Sequence, residues 1–310
     1  MNDYIYYKIK RSILNYYDKF LNRPYNFKIG AKEVLDIEES NKFIKKKIES
    51  NKPFLICRIG TSEMQILNNY FDILYLYKHN FDDVKINVLK NNAGFFGNEI
   101  DVYKFVNLYL MNLNNIDGLA LLTRQEEYIV KKYIKNAELL TLRGIEPYYA
   151  INMPWSSALE GKRVLVIHPF SDTIKKQYEK HNFLFADNRI LPNFDIKVLK
   201  SVQTIAGEKD NRFSTWFEAL NYMIEQAMKI DFDVALIGCG AYGFPLGAEL
   251  KQRGKQVIHM GGATQILFGI KGNRWDNHPY ISKFYNDYWV RPDVKECIQK
   301  KEQVENGCYW

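Results

Sequence analysis

Short, unbroken apolar runs recur along this chain, and each is followed by a stretch whose apolar residues return every three or four positions. PFLICRIG (53–60), DGLALLT (117–123), AELLTLRG (137–144), RVLVIHPF (163–170), KVLKSV (197–202), DVALIG (233–238) and QVIHMGG (256–262) read as strands. The intervening pattern predicts helices at 62–78, 124–134, 171–181, 215–229 and 243–254. Two earlier helices, at about 4–21 and 38–50, flank a loop at Arg23-Pro24. Asp172 stands where it would cap the 171–181 helix. Thr215 with Glu218 forms a capping box. Pro245 falls in the first turn of its helix, and Gly254 falls where a C-terminal cap belongs.

Strands apolar on both faces, alternating with helices, predict an α/β fold: a doubly wound, mostly parallel sheet with helices on both faces. The expected division is an N-terminal helical segment (1–50), an α/β catalytic domain (51–275) and a C-terminal helical and aromatic tail (276–310). Open parallel sheets bind ligands beyond the carboxyl ends of their strands. Candidate chemistry is therefore sought just after each strand.

Five segments answer that search. Arg58-Ile59-Gly60-Thr61-Ser62-Glu63 follows the first long apolar run. Arg58 offers a planar fork for a phosphate, and Gly60 permits close approach. Thr61 or Ser62 fits the cap of the next helix, whose N-terminus attracts anions. Glu63 could hold a metal, contact a ribose or act as a base. The second segment, Gly238-Cys239-Gly240-Ala241-Tyr242-Gly243, fits GxGxxG between a strand and a helix. A dinucleotide site would also need an acidic residue at the end of the next strand, and Gln256–Gly262 has none. The third, 203–212, brings Lys209 and Arg212 for phosphates, and Glu208 and Asp210 as base or metal ligands. The fourth places His168 at a strand end for proton transfer or phosphate binding. The last, Gly272–Pro279 with Arg274, Trp275, Asp276 and His278, carries the mixture of rings and polar groups that a sugar site uses.

Composition narrows the field. The 310 residues carry a formal net charge of +7, which suits an anionic ligand and is too diffuse for nucleic acid. There is no GxSxG elbow, no GxxxxGK[ST] loop and no HExxH pair. The four cysteines form no CxxC pair, which fits a reducing, cytoplasmic setting. The first twenty residues lack a signal-peptide core. Their alternation of Tyr, Ile and Leu with Lys and Arg fits either a helix docked on its own domain or one lying at the inner face of a membrane.

PFLICRIGTSEMQIL together with DVALIGCGAYGFPLGAELKQRGKQVIHMGGATQILFGI resembles the GT-D-fold bacterial glycosyltransferases. That family has an early strand ending in an Arg-x-Gly-Asp-x-Glu-like stretch and a late strand–glycine turn–helix–strand unit. The resemblance covers roughly residues 50–275. It implies a nucleotide-sugar donor, a glycan, lipid-linked or protein acceptor, and a Mn²⁺ or Mg²⁺ ion held through the Asp-x-Glu motif. The family's Glu falls on Glu63, but its Asp falls on Thr61, a poor ligand for such ions. The family's His beyond the last strand is also absent, with Gly262 or Ala263 near its place. The expectation is a glycosyltransferase of surface-polysaccharide or glycoprotein assembly. Its donor would lie on Arg58, Gly60, Thr61, Ser62, Lys209, Arg212 and the Gly238–Gly243 turn, with Glu63, Glu208, Asp210 and His168 as catalytic candidates. A Rossmann-type oxidoreductase and a non-catalytic nucleotide-binding protein are the alternatives.

Overall fold

The structure, a computed structural model, describes residues 3–21, Ile29 and 32–310, with side chains of the first helix described as far as Tyr16. The loop expected at Arg23-Pro24 lies outside the described residues. The strands are β1 (Val34–Leu35), β2 (Phe54–Cys57), β3 (Gly118–Leu121), β4 (Glu138–Thr141), β5 (Arg163–His168), β6 (Asp195–Lys200), β7 (Val234–Ile237) and β8 (Gln256–His259). They form one sheet in the order β1-β4-β3-β2-β8-β7-β5-β6. Every pairing between these strands is parallel. All carboxyl ends therefore share one edge. β1 belongs to this sheet, although it precedes residue 51.

The apolar runs are buried on both faces because alternate side chains point opposite ways. Leu55, Cys57, Leu165, Ile167, Ala235, Ile237 and Val257 enter one core. Phe54, Ile56, Val164, Val166, Val234, Leu236 and Ile258 enter the other. Helices cover both cores: α1 (Asp3–Leu21), α2 (Ile37–Glu49), α3 (Thr61–Leu76), α4 (Asp83–Ala93), α5 (Glu99–Asn112), α6 (Glu127–Tyr133), α7 (Ser171–Tyr178), α8 (Trp216–Met228), α9 (Gly243–Gln252), and the single turns α10 (Thr264–Leu267) and α11 (Asn273–Asp276). α4 and α5 fall in a stretch that the strand-to-helix rhythm leaves unassigned. α5 carries its own start signal, a capping box of Asn98 and Asp101. It buries Val102, Phe105, Val106 and Tyr109 at helical spacing.

α1 docks on its own domain. The Tyr4 hydroxyl donates to Asp72 at 2.7 Å, and Lys8 and Lys10 pair with Asp72 and Glu127. Its other side leaves Tyr6, Ile9, Ile13 and Tyr16 exposed. No described helix is long and apolar enough to cross a membrane. All four cysteines are free.

Two expected caps are replaced. Gly60 is the N-cap of α3 and brings no side-chain bond, so neither Thr61 nor Ser62 caps that helix. Asp172 does not cap α7 either. Its backbone N–H donates at 2.8 Å to Glu296, which also accepts the N–H of Thr173 at 3.1 Å and the Thr173 hydroxyl. The charge at this helix start comes from 124 residues downstream. Beyond α11, the C-terminal segment runs as 3₁₀ turns rather than as an aromatic helix. Glu296 pins it to α7. Glu296→Ala strands one buried N–H, one part-buried N–H and a buried hydroxyl, and the expected cost is about 2–4 kcal/mol in urea denaturation. A loss below about 0.5 kcal/mol would mean the carboxylate carries no such load.

Candidate active site at the carboxyl edge of the sheet

A cavity of about 500 Å³ opens at the carboxyl edge, where the strand order reverses direction around β2. The ends of β2, β3, β4, β5, β7 and β8 all reach it through Arg58, Leu122, Arg143, His168, Gly238 and His259. α4 supplies Asn92–Gly94, and the C-terminal segment closes one side with Arg274, Trp275, His278, Tyr309 and Trp310.

Of the residues expected from sequence, Arg58, Gly60, Thr61, Ser62, Glu63, His168, Gly238, Gly240 and Tyr242 line this one cavity. The two glycine corners therefore meet, with β8 between their strands. Gly238 is pressed between the Gly261 carbonyl and the His168 ring. A Cβ there would lie 2.6 and 2.7 Å from them. Gly240 adopts φ +58°, which lets the turn pass close to Ala93. Ala241 and Gly243 lie behind the cavity wall. The Ala241 carbonyl accepts the Tyr109 hydroxyl at 2.8 Å, and Gly243 backs onto the His259 ring. The third glycine of the GxGxxG pattern thus serves packing between α9 and β8.

The 207–212 loop corrects a sequence expectation. Glu208, Lys209, Asp210 and Arg212 do not line the cavity. The Arg212 guanidinium closes on Asp210, with Nε 2.9 Å from Oδ1, and stacks over Phe213 and Tyr222. A cation satisfied by its own neighbour has no call to reach a ligand.

The cavity's electrostatics are lopsided. Arg58 and Arg143 face it without an ion pair or hydrogen bond among the described residues. Arg143 only stacks over Tyr149, at 5.2 Å. Arg274 is held by Glu305. Three carboxylates line the cavity: Glu63, Glu146 and Glu305. Glu63 folds back over Gly60 and accepts its own backbone N–H at the start of α3. Burial raises its pKa, opposed by that bond and by Arg58. Glu146, on the 3₁₀ turn after β4, is pushed up to about 7 by burial, opposed by Arg58, the Tyr148 hydroxyl and Arg143.

The two inner histidines of the cavity, His168 and His259, are held neutral at pH 7. Burial pushes His168 down to about 3 and His259 to about 4. The Nδ1 of His168 accepts the Phe170 N–H at 3.0 Å, so its other nitrogen carries the proton. That makes His168 a hydrogen-bond donor toward the cavity, which suits the phosphate contact weighed from sequence better than proton transfer. Nor do the donors fit a protein-held divalent ion. No group of three His, Cys, Asp or Glu suited to one occurs among the described residues, and Thr61 adds only a hydroxyl.

No protein-family model and no curated protein sequence matches the chain. Two solved structures are similar to it. One is a selenomethionine-substituted structure of domain of unknown function 1792, with a TM-score of 0.47 and 14% identity over 76% of this chain and 80% of that one. The other is described as the highly conserved domain of unknown function 1792 with a distinct glycosyltransferase fold; it scores 0.39 at 15% identity over 75% and 79%. Likenesses this weak assign no activity.

Arg143, Glu146, Tyr149 and His259 were not singled out from sequence. All four follow or end a predicted strand, so the edge rule that selected Arg58 would have found them.

The neutral histidines set an acid response. Their folded pKa values lie below the ordinary value of 6.5, so the unfolded chain binds more protons as pH falls below 6.5. Stability should drop by roughly 1.4 kcal/mol per pH unit per histidine until the folded pKa is reached. His168→Asn should flatten the fall in urea-derived stability between pH 6 and pH 4, by about that slope. An unchanged slope would refute the buried neutral imidazole.

Proposed function

We propose that the protein is a glycosyltransferase that binds a nucleotide-sugar by its diphosphate and passes the sugar to a hydroxyl of a glycan or glycolipid acceptor. One observation carries this reading: two guanidiniums, Arg58 and Arg143, face a cavity of sugar-nucleotide size, and neither is held in an ion pair among the described residues. A paired charge is the rule for a partly buried arginine such as Arg58, so its lack of one favours an anionic guest, and the exposed Arg143 adds a second guanidinium to the same cavity lining. The turn at Gly238–Gly240 lets the backbone come close, and the first turn of α3 lies beside Arg58. The cavity's Tyr149, Trp275, Tyr309 and Trp310 offer flat apolar faces of the kind that pack against sugar or base rings.

The chemistry follows from charge. Cleaving the bond between the sugar and the diphosphate puts negative charge on the departing oxygen, and fixed guanidiniums stabilise it as it develops. No step is routed through a divalent ion. The glycosyltransferase reading is preferred to the oxidoreductase because β8 ends in His259 and not in an acidic residue that would hold a ribose.

UDP, GDP and dTDP, tested with their monophosphates and NAD, form the direct test. At least one diphosphate should raise Tm more than its monophosphate, and NAD should not. Arg58→Ala should weaken that diphosphate by about 10- to 150-fold, the equivalent of one lost hydrogen-bonded charge of roughly 1.5–3 kcal/mol. Equal binding by wild type and Arg58→Ala in titration calorimetry would refute the placement.

A further inference from the structure

We infer that Glu146 is the general base that takes the proton from the attacking hydroxyl. This rests on the glycosyl-transfer reading and adds to it the group that activates the acceptor.

The argument is by elimination among the groups that reach the cavity. Glu305 is bound to Arg274. Glu63 is turned back onto the start of its own helix, where its carboxylate holds its own N–H. The Nδ1 atoms of His168 and His278 both accept backbone N–H groups, from Phe170 and from Tyr280 and Ile281. Their remaining ring nitrogens are donors. His259 gives its Nδ1 proton to the Ile237 carbonyl at 3.1 Å, and its other nitrogen is too weakly basic near neutrality, with a pKa near 4.

Glu146 is the carboxylate left. It is half-buried, lines the cavity and forms no ion pair among the described residues. The Tyr148 hydroxyl, which donates to the Ala263 carbonyl at 3.4 Å, also stands close enough to favour its ionised form. Beside it, Tyr149 is stacked on Tyr280 with ring centroids 4.5 Å apart and planes 12° apart, which holds the turn carrying Glu146 in place. The charged and titratable groups around it are Arg58 at the end of β2, Arg143 on its own turn, Tyr148 and Tyr149; His278 faces Arg143. With a pKa near 7, the group is ionised in part at neutral pH and still basic enough to accept a proton.

The step balances within the named groups. The acceptor oxygen forms a bond to the anomeric carbon as the bond from that carbon to the diphosphate oxygen breaks. The acceptor proton passes to Glu146, and the departing charge rests against Arg58 and Arg143. Both arginines lie close enough to Glu146 to act on its charge, so one patch of the cavity would hold the leaving group and the base.

The test uses the full chain with a panel of UDP-, GDP- and dTDP-hexoses, reading nucleoside diphosphate release to water and to free sugars. UDP-, GDP- and dTDP-induced shifts in Tm are read in parallel. Glu146→Gln should keep the diphosphate-induced shift and lose about 100-fold or more in release rate. The wild-type rate should fall about tenfold per pH unit below pH 7, and Glu146→Gln should lack that limb. Tyr148→Phe removes the hydroxyl that favours the ionised carboxylate, so its acid limb should move to higher pH. This second variant decides the matter even if Glu146→Gln does not fold. A Glu146→Gln rate within about threefold of wild type, or an acid limb unmoved in Tyr148→Phe, overturns the inference while leaving diphosphate binding intact. A wild type that neither binds these diphosphates nor releases them overturns the glycosyl-transfer reading itself, and this inference with it.

Discussion

The parallel hydrogen-bond ladder through β2, β8 and β7 is the constraint on which the site depends. Leu55 pairs with Val257, and Ala235 pairs with Val257 from the other side. That register brings Arg58, Gly238 and His259 to one edge although they lie up to about two hundred positions apart in the chain. A slip by one residue would turn Leu55 and Cys57 out of one core and into the other, so the two-sided apolar packing fixes the register. Once it is fixed, the turns beyond the strands have nowhere to go but around a common space.

What fills that space chemically is set by which charges are already answered. Arg212 is answered by Asp210, Arg274 by Glu305, and the start of α7 by Glu296. Arg58 and Arg143 are not answered within the described residues. Burial meanwhile keeps the two inner histidines neutral and raises both Glu63 and Glu146. The result is a cavity whose positive charge is fixed and whose negative charge is easily lost. This is the polarity expected around a departing anion.

The fold class was legible because its signals are local. Unbroken apolar runs mark strands covered on both faces, and capping boxes such as Thr215 with Glu218 close within four residues. α4 and α5 escaped because they interrupt the strand–helix alternation, even though α5 carries an apolar spacing that could have been read. Half of the site was legible for a related reason: residues after apolar runs at Arg58, His168 and Gly238 reach the edge wherever the sheet places it. Glu146 and His259 obey the same rule and were passed over only because no recognisable motif surrounds them.

By itself, the sequence determined the strands, their burial, the turn glycines and the presence of a basic, ring-rich chain. The tertiary structure decided which charges were free. Arg212 and Arg58 look alike in sequence, each an arginine in a polar loop after a strand. Arg212 closes on Asp210 two positions back, whereas only the fold leaves Arg58 facing the cavity. Likewise, no local pattern announces that Glu296 will hold the start of α7, or that the C-terminal turns will close the cavity with Arg274 and Trp310. Periodicity is a property of neighbours along the chain. Charge satisfaction is a property of neighbours in space, and it exists only after the sheet has closed.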